Sequence, residues 1–223
     1  MGEEFTRTFQ LISPALHHGK IILYDDFESH FKWITGGIGA YAAGVQNNAA
    51  YNGDYGLDLV TDVGSPPGAT AKAERRIIAT PKQRLQLALY FGFAATAPLA
   101  YALFQIQYDD ASNTYRAAIR LNAYTGAIQY YGSDAAYHDI SGISLTPYLL
   151  TFYRLKLHVD LRPTHLEYLY LSIGDQEANL SGIAIRTAAT LHRQYLETYI
   201  KIETHTAASA THLYIDDVLL TQI

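Results

Sequence analysis

The chain has no cysteine, a single methionine and a single tryptophan among its 223 residues. Without cysteine there is no disulfide, no thiol nucleophile and no thiolate-held zinc or iron–sulfur centre. Basic runs are missing too: the net charge is −5 and the pI is about 5.9. Nucleic-acid binding needs a positive patch to meet phosphates, so it is excluded, and an anionic membrane surface is excluded on the same ground. No apolar stretch approaches the ~20 residues of a membrane helix. A Gly-Lys-Ser/Thr phosphate loop, a Gly-x-Ser-x-Gly elbow and a His-Glu-x-x-His pair are all absent. The start, Met1-Gly2-Glu3-Glu4-Phe5-Thr6-Arg7, is acidic and lacks the apolar segment of a signal peptide. The expectation is a protein made in the cytoplasm and kept there until it is assembled, or an extracellular one whose leader has been removed.

What is abundant is tyrosine, with 19 residues, in a chain that is 49% hydrophobic and only 17% charged. A tyrosine pairs an apolar ring with a polar tip and suits strand faces and contact surfaces. The length exceeds that of an average domain, but β-sandwiches of this size are routinely one domain with a substantial core.

Residues 1–20 have mixed polarity, Pro14 and the pair His17-His18, and read as an N-terminal arm. From residue 21 to 223 the pattern is that of a β domain. Ile21 to Tyr24 is a short apolar strand, Gly36 to Gly44 reads as irregular, and Tyr55 to Val60 is a strand entered through Asn52-Gly53-Asp54. Leu85, Leu87, Leu89, Phe91 and Phe93 share one face against Gln86, Ala88 and Tyr90. Ala102, Phe104, Ile106 and Tyr108 oppose Gln105 and Gln107, and Tyr115, Ala117, Ile119 and Leu121 oppose Arg116, Ala118 and Arg120. Tyr153 to Asp160 alternates in the same way, and Leu169, Leu171 and Ile173 alternate with Tyr168, Tyr170 and Ser172. This period of two, repeated between turn signals, predicts half-buried antiparallel strands in an all-β, jelly-roll sandwich. The best helix candidate is the short segment Ala188 to Thr198, and Tyr199 to Glu203 and His212 to Leu220 supply the last strands. In jelly rolls the first and last strands often pair, which would bring Ile21–Phe27 against Leu213–Leu220.

Several segments carry a family likeness. Tyr24-Asp25-Asp26-Phe27-Glu28-Ser29, then Trp33, then Tyr51-Asn52-Gly53-Asp54-Tyr55-Gly56-Leu57, resemble the opening of many carbohydrate-binding modules. The close, with Ile215-Asp216-Asp217-Val218, resembles their end strand. Tyr153–Asp160, Leu169–Ile173 and Leu180-Ser181-Gly182 resemble concanavalin A-like (laminin-G-like) jelly rolls. The resemblance implies the fold and, less directly, sugar binding, because fold does not imply function.

Three candidate sites follow. Asp26 and Glu28 near the start and Asp216 and Asp217 near the end are hard oxygen donors suited to a structural calcium ion. In the modules resembled here such an ion often ties the terminal strands together. An aromatic platform for sugar rings is expected where Tyr168 and Tyr170 project outward together, with Tyr130, Tyr137 and Trp33 contributing. The same aromatic face suits a protein interface equally well. Glycosidase chemistry needs two carboxyl groups about 5–5.5 Å apart in a retaining enzyme. The Glu-x-Asp-x-x-Glu strand of glucanases on this kind of jelly roll is absent, and Glu167 stands without a carboxylate two positions on. No catalysis is therefore expected. The preferred reading is a non-catalytic surface protein, a structural or decorating component of an assembled particle such as a phage virion. It would be oligomeric and held to a protein shell through its N-terminal arm. A carbohydrate-binding module is the first alternative, with a glycan as partner, and a glycoside hydrolase or lyase the second.

Overall fold

The computed structural model describes residues 20–223 except for 30, 63–65, 79–82, 95–99, 149, 163, 191–193 and 205–209. The arm expected over residues 1–20 lies outside the described residues, save that Lys20 already belongs to the first strand. In chain order the strands are β1 (Lys20–Asp25), β2 (Ile34–Ile38), β3 (Tyr41–Gln46), β4 (Gly56–Thr61), β5 (Thr70–Ile78) and β6 (Arg84–Phe93). There follow β7 (Ala100–Asp109), β8 (Asn113–Asn122), β9 (Ala127–Tyr131), β10 (Tyr137–Ser144) and β11 (Tyr153–Asp160). The last are β12 (Glu167–Ile173), β13 (Gln176–Ala184), β14 (Arg186–Ala189), β15 (Tyr195–Thr204) and β16 (Thr211–Gln222).

They form two antiparallel sheets. Sheet A runs β13-β12-β11-β6-β16-β4-β3, with β1 also on β16; sheet B runs β10-β9-β8-β7-β15-β5-β2, with β14 also on β8. The alternating apolar sets read from the sequence point between them. Leu87, Leu89, Phe91 and Leu157 of sheet A face Phe104, Ile106, Ile119 and Ile200 of sheet B, all essentially without exposure. Phe91 and Phe104 meet across the gap with ring centroids 5.0 Å apart. Burying each such side chain is worth about 1.5–3 kcal/mol over leaving it in water.

The expected pairing of the two ends is present: Leu23 lies opposite Leu220 and Asp25 opposite Val218. β16 changes neighbour along its length, pairing β4 through Thr211–Ile215 and β1 through Val218–Gln222. At the changeover its register on β6 slips between Asp216 and Leu219, and Asp217 takes a left-handed φ of 49°. The Ile-Asp-Asp-Val segment is thus a bulged corner rather than a plain strand.

Three local expectations are corrected. Gly36 to Gly44 is not irregular but supplies β2 and β3. A Cβ on Gly37 would sit 2.2 Å from the Thr70 carbonyl oxygen and 2.5 Å from the Tyr41 ring, so glycine there allows close approach of strands. The segment Ala188 to Thr198 holds no helix among the described residues; it contains the end of β14 and the start of β15. Tyr195, Glu197, Tyr199 and Lys201 alternate with the buried Leu196, Thr198, Ile200 and Ile202, which is a strand period.

The third correction concerns Tyr168, expected to point outward beside Tyr170. Opposite β11, His158 pairs Tyr170 while the next residue, Val159, pairs Tyr168, so Leu169 is an extra residue on β12. This bulge reverses the facing of everything before it. Tyr168 is fully buried, and Leu169 takes the half-exposed place.

Candidate functional site: a groove on the outer face of sheet B

Cross-strand partners share a face, so each rung of sheet B sets side chains abreast. One rung on the face away from the core is Arg116, Gln107, Glu197 and Arg76. The next is Ala118, Gln105, Tyr199 and Glu74, and the third Arg120, Leu103, Lys201 and Lys72. Although they point away from the core, Gln105, Gln107, Glu74, Glu197 and Leu103 are all buried. The face is therefore concave, with these residues as its floor. Tyr131 and Tyr137, cross-strand partners on β9 and β10, rise on one side, and Tyr195 and Tyr199 rise from β15. The groove they enclose holds about 400 Å³.

Its polar groups are tied into several short networks. Gln105 Nε2 donates to Gln107 Oε1 (3.2 Å), Gln107 Nε2 donates to Asp109 Oδ2 (3.2 Å), and Arg116 Nε donates to Gln107 Oε1 (3.2 Å). Arg76 binds Glu197 at 2.7 Å and Glu74 at 2.8 Å, Lys72 reaches Glu74 at 3.3 Å, and Lys201 reaches Glu203 at 2.6 Å. Arg120 donates through Nε to Gln129 (2.8 Å) and lies 3.7 Å over the Tyr137 ring. A satisfied network in a half-buried setting is rigid and pre-organised. Burial raises the Tyr199 hydroxyl to about 12, helped by the nearby charges of Glu74 and Glu197. Burial raises the Glu197 carboxyl as well, against the hydrogen bond from Arg76. Tyr199 therefore stays protonated at neutral pH and presents a hydroxyl donor.

The five aromatics expected to form a platform do not come together. Tyr137 is in this groove, with its hydroxyl pKa raised by burial against the pull of Arg120. Tyr170 stands on the opposite outer face, with its ring 5.1 Å from that of His158. Tyr130 sits at the edge between the sheets, stacked on His138 at 5.2 Å and edge-on to Tyr168 at 5.8 Å. Trp33 is only 5% exposed and belongs to the core, since its Nε1 donates to Asp25 Oδ2 at 2.9 Å and so allows the indole to be buried. Tyr168 reaches through the core from sheet A. Its hydroxyl accepts from the Ala118 amide (2.9 Å) and faces the Tyr131 carbonyl (2.8 Å), which fixes the backbone beneath the groove.

The four carboxylates expected to hold calcium gather in part. Asp216 accepts from the amides of Tyr51 (2.8 Å), Asn52 (2.9 Å) and Asp217 (2.8 Å), and Asp217 accepts from the Asn52 side chain (2.8 Å). Glu28 accepts from the Asp54 and Tyr55 amides (2.7 and 2.8 Å), and Asp26 accepts from the Glu28 amide (3.2 Å). Each acid braces a loop. Among the described residues no three His, Asp or Glu side chains converge to hold a metal ion.

Apart from Tyr137, the groove residues were not singled out from the sequence. Gln105, Gln107, Arg116 and Arg120 appeared only as the polar half of core strands, and the β15 set was divided between a helix candidate and a short strand. The alternation in β15 was the missed signal. No single segment shows the groove, because its carboxylates, cations and rings come from separate strands.

No protein-family model matches the chain, and no curated protein matches it. Solved structures do. An endo-β-1,4-glucuronan lyase from the fungus Trichoderma reesei superposes with a TM-score of 0.63 at 11% identity, over 92% of this chain and 96% of that one. The lectin UEA-II, solved with galactose, superposes with a TM-score of 0.55 at 12% identity, over 91% and 99%. A Bacillus licheniformis β-glucanase gives 0.50 at 12% identity, over 92% and 100%. At such identities the likeness is one of fold: a concanavalin A-like jelly roll, as the sequence motifs implied.

Proposed function

We propose that this jelly roll binds a stretch of polysaccharide in the groove of sheet B, without cleaving it. The observation that carries the reading is the groove's make-up: tyrosine rings on both sides of a rigid, hydrogen-bonding floor. Sugar rings stack their apolar faces on aromatic side chains while fixed polar groups hold the hydroxyls. The similar structures, a glucuronan lyase, a galactose-bound lectin and a glucanase, support a sugar ligand on this fold. The test is a glycan array followed by titration calorimetry of the best ligand. Tyr137→Ala should weaken binding by about tenfold, near 1.4 kcal/mol, in a chain that still unfolds cooperatively. A chain that binds no glycan refutes the reading.

The hydrolase reading has one observation in its favour: Glu74 and Glu197 flank the same guanidinium, and burial raises the Glu197 carboxyl towards the behaviour of an acid catalyst. Arg76 holds both carboxylates in ion pairs, which opposes proton donation, so no new reducing ends should appear on incubation with the bound glycan. The particle-component reading is favoured by an apolar rim on the same sheet, where Ile34, Ile38 and Ile78 are 53%, 69% and 93% exposed. It predicts an oligomer in the native mass. The structural calcium ion remains a proposal for the Asp216 corner: a Tm lowered by EGTA supports it, and an unchanged Tm counts against it.

A further inference from the structure

We propose that the groove is selective for sugars bearing carboxylates, uronate residues above all, and that Arg116 and Arg120 are the residues that select them. The inference rests on the reading of the groove as a glycan site and adds the class of glycan. The protein as a whole is acidic, with a net charge of −5, so an anionic ligand must be drawn by a local feature. The cations of the three rungs fall into two groups, while Arg186 on β14, beside Arg116, donates to the Ser133 carbonyl at 2.9 Å. Lys72, Arg76 and Lys201 are each neutralised by a carboxylate within 3.3 Å. Arg116 and Arg120, both on β8, have no carboxylate at ion-pair distance among the described residues. Each makes its hydrogen bond through Nε, to Gln107 and Gln129 respectively.

That geometry matters because a guanidinium bound only at Nε still has its two terminal nitrogens for a planar, two-pronged acceptor. A carboxylate matches that fork. Neighbouring rings hold the forks in place: Arg120 lies 3.7 Å over Tyr137 and 4.5 Å over Tyr101, and Arg116 lies 6.0 Å over Tyr131. Stacking leaves less side-chain freedom to lose on binding. The acids on this face are occupied elsewhere. Glu74 and Glu197 are taken by Arg76, Asp109 accepts from Gln107, and Asp139 accepts from Gln129 at 2.8 Å. The two arginines are four residues apart on one strand with only Ala118 between them on that face. Their Cα atoms are thus about 13 Å apart, at a rise of ~3.3 Å per residue. Two forks along one strand suit a chain that carries carboxylates at intervals, not a single acid.

The experiment compares three ligands on the full chain by titration calorimetry. They are a polyuronate oligosaccharide, the same oligosaccharide with its carboxyl groups reduced to alcohols, and the same reduced oligosaccharide bearing sulfate esters. The inference expects the native uronate to bind about tenfold or more tightly than its reduced form, with the difference shrinking as salt is raised. Arg116→Gln and Arg120→Gln should each remove most of that difference, and Lys156→Gln, on the other sheet, should leave it intact. Equal binding of native and reduced forms overturns the inference, and so does a sulfated form that binds more tightly than the uronate. If the neutral form binds as well as the uronate and Tyr137→Ala weakens both, carboxylate selection fails while the groove stands as a sugar site. If none of the three binds, and a glycan array shows no other ligand, both fail together. The reduced-ligand arm uses the unaltered protein, so a variant that fails to fold does not spoil the test.

Discussion

The two outer faces of the sandwich are built from the same alternation and put it to opposite ends. On sheet B the outward side chains are long, charged and aromatic, and they pair with one another around an open groove. On sheet A the outward aromatics close on themselves. Tyr51 stacks on Tyr90 at 4.1 Å and meets Phe152 at 5.5 Å, and Phe152 in turn stacks on Tyr214 at 6.4 Å. Tyr51 is brought there by its loop, whose amides are anchored on Asp216. The polar row beside this cluster is poorly served: Gln86 Nε2, His158 Nε2 and Thr221 Oγ1 are buried without hydrogen-bond partners. One face is satisfied and open, the other self-covered and braced at a corner. The difference teaches that an outward tyrosine in a strand pattern says little until the strands on either side of it are known.

Substitutions can break this contrast, and the largest effect is expected at the corner of sheet A. Asp216→Ala strips three amides of their acceptor inside the protein and should cost about 3 kcal/mol in denaturant unfolding, with glycan binding following only through stability. Proton linkage sharpens the same point. Burial, aided by the charge of Asp217, raises the Asp216 carboxyl from 3.8 to about 7 against the pull of its amide donors. The folded state then holds more protons than the unfolded chain across that window, so this residue's contribution to stability falls as pH rises from 3.8 to about 7. Asp160 on the same sheet is equally buried, yet its hydrogen bonds from Arg162 and Arg84 outweigh the cost of burial and hold its carboxyl well below the ordinary range. Its contribution is lost in the opposite direction, as pH falls below the ordinary carboxylate range. Tm measured across pH in Asp216→Asn should lose the first slope and keep the second.

A smaller effect is expected from Tyr168→Phe. The Ala118 amide loses its hydroxyl acceptor, and about 1–2 kcal/mol of stability should go with it. Because that hydroxyl fixes the backbone under Ala118 and Tyr131, glycan affinity should fall modestly too, by about threefold, ~0.6 kcal/mol on the affinity scale. Such a variant would show the groove's dependence on a residue that no ligand touches.

Much of the fold was legible in the sequence. The core positions of β6, β7, β8 and β11 alternate without interruption, and the pairing of β1 with β16 agrees with the motifs at the two ends. What misled was local. A single extra residue at Leu169 turned Tyr168 inward, and a bulge leaves no mark in a hydrophobic pattern until its partner strand is in place. Trp33 looked like a ligand platform because tryptophan often is one; the deciding contact is with Asp25, eight residues away. The site was the least legible part, since its rungs join β5, β7, β8 and β15, and which residues of distant strands stand abreast depends on register.

The central claim is that the sugar lies on sheet B and not on the aromatic cluster of sheet A. The most direct test measures one glycan against two variants side by side, Tyr137→Ala on the groove and Tyr90→Ala on the opposite face. About a tenfold loss of affinity in the first and none in the second is predicted, with Tm recorded for both. The reverse pattern, or an equal loss in both, would contradict it.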